Sequence, residues 1–203
     1  MEARINKGKF LRNWTLLNAT ILIIAYPICF LIGLSLADSM TEWGTYYEQT
    51  RDMIIYQSVT GFLIGIIQWF LLKRIFNISS LWISTIPIVV IVIEVIVGLI
   101  LANLDINRGD LTFLEGDPYS HAIILGITGL FIGVIQIPLL RKYLSGTIYW
   151  VLASTFAWAI SVLITAIGHR YDIMVLITFI LGSLLYGAIT GVTLMWILKP
   201  KGI

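Results

Sequence analysis

Glu94 is the only acidic side chain inside any of the long apolar runs of the chain, near the middle of the stretch 81–104. An ionisable group at the centre of a bilayer costs about 2.5 kcal/mol or more, so such a residue faces the protein interior and takes a partner. Coupling to a proton or cation, or binding of a cationic or polar ligand, would use a buried carboxylate at that depth. An interhelical hydrogen bond would use it equally well, and the sequence leaves both open. The expected partner is Tyr26, which matches Glu94 at an offset of 68 residues and stands directly before Pro27. A proline in mid-helix kinks the helix and frees a carbonyl one turn back. Either that carbonyl or the Tyr26 hydroxyl could satisfy the carboxyl group.

Gln68 and Gln136 come about one turn before the basic pairs Lys73-Arg74 and Arg141-Lys142. An amide in lipid either bonds across helices, for roughly 0.6 kcal/mol, or contacts a ligand. Glu94, Tyr26, Gln68 and Gln136 are therefore the candidate ligand or proton site, with kinks expected at Pro27 and Pro138. No zinc-protease, nucleophile or phosphate-loop motif occurs. Asp105, Asn107, Asp110 and Glu115 miss the calcium-loop spacing, and His121 and His169 have no third ligand at metal spacing. The lone Cys29 can form no intramolecular disulfide and reads as a small buried hydrophobe. The expectation is a non-enzymatic protein without metal or cofactor.

The elements that must position these residues follow from composition. The chain is 59% hydrophobic and 12% charged, with a mean hydropathy of +0.95, where soluble domains sit near 45–50% and about 25%. That excludes a disordered chain, a nucleic-acid-binding module and an ordinary soluble enzyme. Six runs are long enough to cross a bilayer as helices: about 14–37, 53–72, 81–104, 119–140, 148–168 and 173–198. They lack the period-two alternation of a membrane barrel. A single all-α transmembrane domain over 1–203 is expected, its partners the lipid bilayer and a membrane protein or second copy, with no nucleic acid. Arg4, Lys7, Lys9 and Arg12 resemble a signal-peptide flank, but the uncharged run 13–37 far exceeds a 7–15-residue signal core. An uncleaved first span is expected.

Charge sets the orientation. The N-terminal segment, the two basic-pair turns and the Lys199/Lys201 tail hold ten of the thirteen Lys and Arg and one acid, Glu2. The other three connections hold Arg51, Arg108 and Arg170 with nine acids, so one face is +9 and the other −6. Basic loops stay on the cytoplasmic side, which puts both termini inside a plasma (inner) membrane. Trp14, Trp69, Trp82 and Trp150 are expected at the inner headgroup level, and Tyr119 and Tyr171 at the outer one.

The chain also repeats. Gly61-x3-Gly65-x2-Gln68-x3-Leu72-Lys73-Arg74 matches Gly129-x3-Gly133-x2-Gln136-x3-Leu140-Arg141-Lys142 at an offset of 68. A third copy, Gly187-x3-Gly191-x2-Leu194-x3-Leu198-Lys199, follows 58 residues later with leucine in place of glutamine. Trp14, Trp82 and Trp150 open the first helix of each unit, giving three helical hairpins over about 14–74, 81–142 and 148–199. Glycines four apart share one helix face and let a neighbouring backbone approach. They either pack helices or line a small-residue path for a substrate. The Gly-x3-Gly-x2-Gln-Trp pattern ending at Gln68-Trp69 resembles a loosely defined group of bacterial polytopic membrane proteins with repeated hairpins of this type. The resemblance covers most of the chain, implies fold and location, and brings no activity with it. The functional expectation is a small transporter or membrane substrate-binding subunit around Glu94; the alternative is a structural or regulatory subunit that scaffolds a membrane complex.

The charge reading is testable with a non-permeant thiol reagent on intact cells, in a Cys29→Ala background. Asp110→Cys should be labelled from outside and Ser145→Cys only after the cells are opened; the reverse pattern inverts the topology.

Overall fold

The computed structural model describes residues 6–37, 45–103, 118–143, 145–171 and 175–197; side chains at 26, 27, 29, 30, 32–37, 45–50, 52, 53, 56, 101, 102, 118, 169, 170 and 175 lie outside that description. These residues form six helices: α1 (Lys7–Ala37), α2 (Thr45–Lys73), α3 (Leu81–Asn103), α4 (Pro118–Leu140), α5 (Thr147–Arg170) and α6 (Val175–Ile197). Four segments are long and apolar enough to cross a membrane: Leu81–Ile100, Tyr119–Leu140, Thr147–Gly168 and Leu176–Ile197. Gln57–Lys73 is a shorter apolar stretch. No strand occurs among the described residues.

Local chemistry sets several helix starts. The Asn6 Oδ1 accepts the Lys9 N–H at 2.9 Å, an N-cap that lets α1 begin before its apolar run, at Lys7. Pro118 stands at the first position of α4, where its missing N–H costs nothing because no intrahelical acceptor exists there. Ahead of α5, Gly146 turns the chain at φ +72°, a left-handed conformation that glycine adopts without strain.

The helices are inverted relative to a soluble protein. Large apolar side chains face outward, among them Ile88, Val92, Val95, Ile96 and Leu99 of α3, while Asn18, Gln57, Gln68, Glu94 and Gln136 are buried. Lipid tails supply the apolar environment, so the inward face is free to take the polar groups, provided each finds a partner. Each helix touches its neighbours in sequence, and α6 returns to α1. The six helices therefore close into a ring, with α3 and α4 in the slightest contact.

Glycine brings helices of the ring together. A Cβ on Gly65 would lie 2.6 Å from the Ile83 carbonyl oxygen, and one on Gly129 2.6 Å from that of Ser154. Gly61 faces Ile86, Gly133 faces Val151, Gly187 faces Thr15, and Gly191 faces Leu11 and the Trp14 ring. The second, fourth and sixth helices thus pack their glycines on the third, fifth and first. At Gly65 the reason is specific. Pro87 lies inside α3, and its lack of an N–H releases the carbonyl of Ile83 four residues back. Only a glycine leaves room against that oxygen, and its Cα–H offers a weak donor in place of the lost bond.

Trp14, Trp82 and Trp150 do not face a headgroup layer. They are 0%, 0% and 2% exposed and pack in one cluster with Phe10, Leu72, Phe76, Leu140 and Leu194 at the basic end of the bundle. The glycine faces make the space: with no side chain on Gly191, the Trp14 indole can close onto α6. Trp69 is half-buried and has the Lys73 ammonium 4.5 Å over its ring. The turns at this end are tied together. The Tyr143 hydroxyl donates to the Asn77 carbonyl at 2.7 Å, its ring stacks on Phe76, and the Ser145 N–H and hydroxyl both donate to the Ile197 carbonyl.

Gly65→Ala should cost about 1–3 kcal/mol by overpacking, more than the about 1 kcal/mol of helix propensity it gains. Gly126→Ala, whose new Cβ would meet only the Ala159 side chain at 3.3 Å and lie 3.9 Å from a backbone oxygen, should stay within about 1 kcal/mol of the parent. Unfolding in mixed detergent micelles distinguishes the two; equal stabilities would contradict the backbone contact.

Candidate functional site

On α2, residues 57, 61, 65 and 68 fall at helical spacing on one face, and that face is turned to α3 by its two glycines. On α3, Ile86, Val90 and Glu94 follow one another at four-residue steps, with Ile86 and Val90 fully buried. The two rows meet. Glu94 is 1% exposed, and its Oε1 accepts the Gln57 Nε2–H at 2.7 Å. A short bond from an amide to a buried carboxyl group is the expected answer to the desolvation that such a group suffers in lipid. The expected partner, Tyr26, has its side chain outside the described residues, as does Pro27. Gln57 reaches Glu94 from the second helix because Gly61 and Gly65 draw α3 onto α2.

Gln68 and Gln136 do not join Glu94. Gln68 lies eleven positions beyond Gln57 along α2, about 16 Å at the helical rise. Its Nε2 donates to Asn18 Oδ1 at 3.0 Å and to the Tyr186 hydroxyl at 3.2 Å. Asn18 in turn donates to the Trp14 carbonyl at 2.7 Å, and the Trp14 Nε1–H donates to Thr190 Oγ1 at 3.0 Å. The second cluster has the same logic. The Trp150 Nε1–H donates to Gln136 Oε1 at 2.9 Å, Gln136 Nε2 donates to Thr85 Oγ1 at 3.0 Å, and the Thr85 hydroxyl donates to the Trp82 carbonyl at 2.7 Å. An indole can only donate, so it dictates which end of the glutamine faces it. Each relay joins three helices through donors and acceptors that polarise one another.

Three of the four candidate residues thus separate: Glu94 into an acid–amide pair with Gln57, and Gln68 and Gln136 into two amide relays nearer the basic end. Sequence reasoning missed Gln57, Asn18, Thr85, Tyr186 and Thr190. Spacing was the available signal for three of them: Gln57 precedes Gly61 by one turn, Asn18 follows Trp14 by one turn, and Thr85 follows Trp82 by three residues. Pro138 stands in the last turn of α4 with its side chain exposed. His121 is buried on α4, and no group of three His, Cys, Asp or Glu suited to a metal occurs among the described residues. A groove of about 420 Å³ between α4 and α5 is lined by Tyr119, Ile123, Ile127, Phe156 and other mostly apolar residues, and Glu94 is not among them.

Trp150→Phe should destabilise the protein by about 1–3 kcal/mol, because it leaves the buried Gln136 carbonyl without its indole donor. Adding Gln136→Leu should recover part of that loss, giving a coupling of about 0.5–3 kcal/mol in a double-mutant cycle. Additive losses in detergent unfolding would show that the relay contributes nothing as a unit.

No protein-family model, curated protein or solved structure matches this chain.

Proposed function

We propose that this chain is a plasma-membrane protein of six spans, both termini cytoplasmic, built from three repeated hairpins, and that it binds or transports a small polar or cationic solute at Glu94. The repeat is supported by contacts at matching offsets: Gly61 on Ile86 and Gly129 on Ser154, Gly65 on Ile83 and Gly133 on Val151. The third unit keeps the arrangement about one turn displaced, with Gly187 on Thr15. The kinship with bacterial hairpin proteins of the Gln-Trp type belongs to the same reading.

The observation behind the functional reading is the Glu94–Gln57 bond, a carboxyl group and an amide brought together from two helices beside an apolar interior cluster. Internal repeats with a polar site near mid-membrane are the common layout of secondary transporters. At this pair an incoming ammonium or hydroxyl would replace the Gln57 N–H as donor to Glu94 Oε1. Gln57 would keep the carboxyl group satisfied whenever no solute is bound, which lowers the cost of an empty site. A second reading, a scaffold subunit, is favoured by the indole–amide relays, which spend polar groups on holding helices together.

Glu94→Gln separates the two. Reconstituted protein is scanned for thermal stabilisation by choline, tetraethylammonium and spermidine. The transporter reading expects stabilisation by at least one of them in the parent and its loss in Glu94→Gln, a weakening of tenfold or more, since a hydrogen bond to a charged group contributes about 1.5–3 kcal/mol. A variant that keeps any such response but no longer assembles in the membrane supports the scaffold.

A further inference from the structure

Three of the buried tryptophans, Trp14, Trp82 and Trp150, occupy equivalent places but are bonded unequally. Trp150 gives its indole proton to Gln136 on α4, and Trp14 gives its own to Thr190 on α6. Trp82 is fully buried, and its Nε1 has no acceptor among the described residues. An orphaned buried donor keeps the desolvation cost that a partner would offset.

The acceptor that Trp82 should have is present in the sequence. The offset that carries Trp82 onto Trp150 also carries Gln68 onto Gln136. Gly65, one turn before Gln68, lies against Ile83, the residue after Trp82, so the two backbones touch at this level. Gln68 is nevertheless engaged elsewhere, with its amide nitrogen shared between Asn18 and Tyr186. In the arrangement described, Asn18 gives its nitrogen to the Trp14 carbonyl and presents its oxygen to Gln68. The hydrogen bonds described for Gln68 both use its nitrogen.

The difference between the two glutamines has a cause in side-chain length. Tyr186 reaches Gln68 from α6. The residue two units of offset away, in the place from which α2 would reach Gln136, is Thr60, which is too short. Gln136 is therefore free to turn its carbonyl to Trp150, whereas Gln68 is held back by a tyrosine.

We propose that Gln68 is a two-position latch. In the position described it rests on Asn18 and Tyr186. When the Tyr186 hydroxyl is withdrawn, the Gln68 carbonyl takes the Trp82 indole proton and makes at α2–α3 the bond that Gln136 makes at α4–α5. The latch shifts one hydrogen bond from α6 to α3 and closes the third seam of the ring. Tyr186 also packs edge-on against Trp158, at 5.5 Å between ring centroids, in the interior cluster that contains Ile93 beside Glu94. On the reading of Glu94 as a solute site, filling that interior would move Tyr186 and release the latch.

The test uses the intact protein in nanodiscs with 15N-labelled tryptophan, and no solute, so it stands or fails independently of the Glu94 reading. Trp82→Phe and Trp150→Phe assign the two indole signals. The Trp82 indole proton should lie upfield of that of Trp150 in the parent and move downfield to the Trp150 range in Tyr186→Phe. Gln68→Leu, which installs the residue found at 194, should abolish that movement in the Tyr186→Phe background. Alone, it should leave the parent Trp82 signal where it is. A Trp82 proton already downfield in the parent overturns the latch, as does one unmoved in folded Tyr186→Phe. If Tyr186→Phe does not fold, Gln68→Leu alone decides: an unmoved Trp82 signal supports the open latch, and a shifted one overturns it.

Discussion

Lipid gives helices no hydrophobic reason to associate, so their attraction depends on how closely their backbones can come. Here that distance is set by glycines on α2, α4 and α6. The tightest described contacts bring Gly65 to the Ile83 carbonyl and Gly129 to that of Ser154. Much else follows from this approach. It turns the polar face of α2 onto α3 and so brings Gln57 to Glu94, and it opens the space into which Trp14 folds. Where Pro87 has already removed a helix hydrogen bond from Ile83, the glycine also covers the exposed oxygen. A methyl group at that point would act on backbone, which cannot turn aside as a side chain can.

Some of this could be read from residues alone. Apolar runs of twenty or more identify helices because a buried peptide group in lipid must bond within its own segment. The glycine registers and Gln68 and Gln136 were visible as a repeating spacing, and Glu94 by its isolation. The partners were not visible, because a partner depends on which helix lies beside which. An offset of 68 pointed from Glu94 to Tyr26, whose side chain lies outside the described residues, and gave no sign of Gln57, which reaches the carboxyl group from the helix drawn in by Gly61 and Gly65. The tryptophans mislead for a related reason. An indole near a basic turn fits a headgroup layer equally well from the lipid side and from the inside, and only the glycines opposite determine which way it points.

The contact between α6 and α1 shows how a bundle can satisfy an indole without an amide. Leu194 stands where the spacing pattern of α2 and α4 has glutamine, and Trp14 would have no acceptor if that position were the only one within reach. Thr190, four residues earlier on the same face, takes the proton instead and passes its own to the Tyr186 carbonyl. Satisfaction of the donor is kept while the chemical means changes. The indole is thus bonded by a glutamine where α5 meets α4 and by a threonine where α1 meets α6.

Closure of α6 onto α1 also imposes an order on biogenesis. Trp14 and Asn18 leave the ribosome first, yet the Thr190 hydroxyl and the Tyr186 side chain that complete their surroundings are made only after the first five helices have been synthesised. Until then the Trp14 indole proton lacks the acceptor that it has in the closed ring. Damage to α6 therefore falls first on the helix at the opposite end of the sequence.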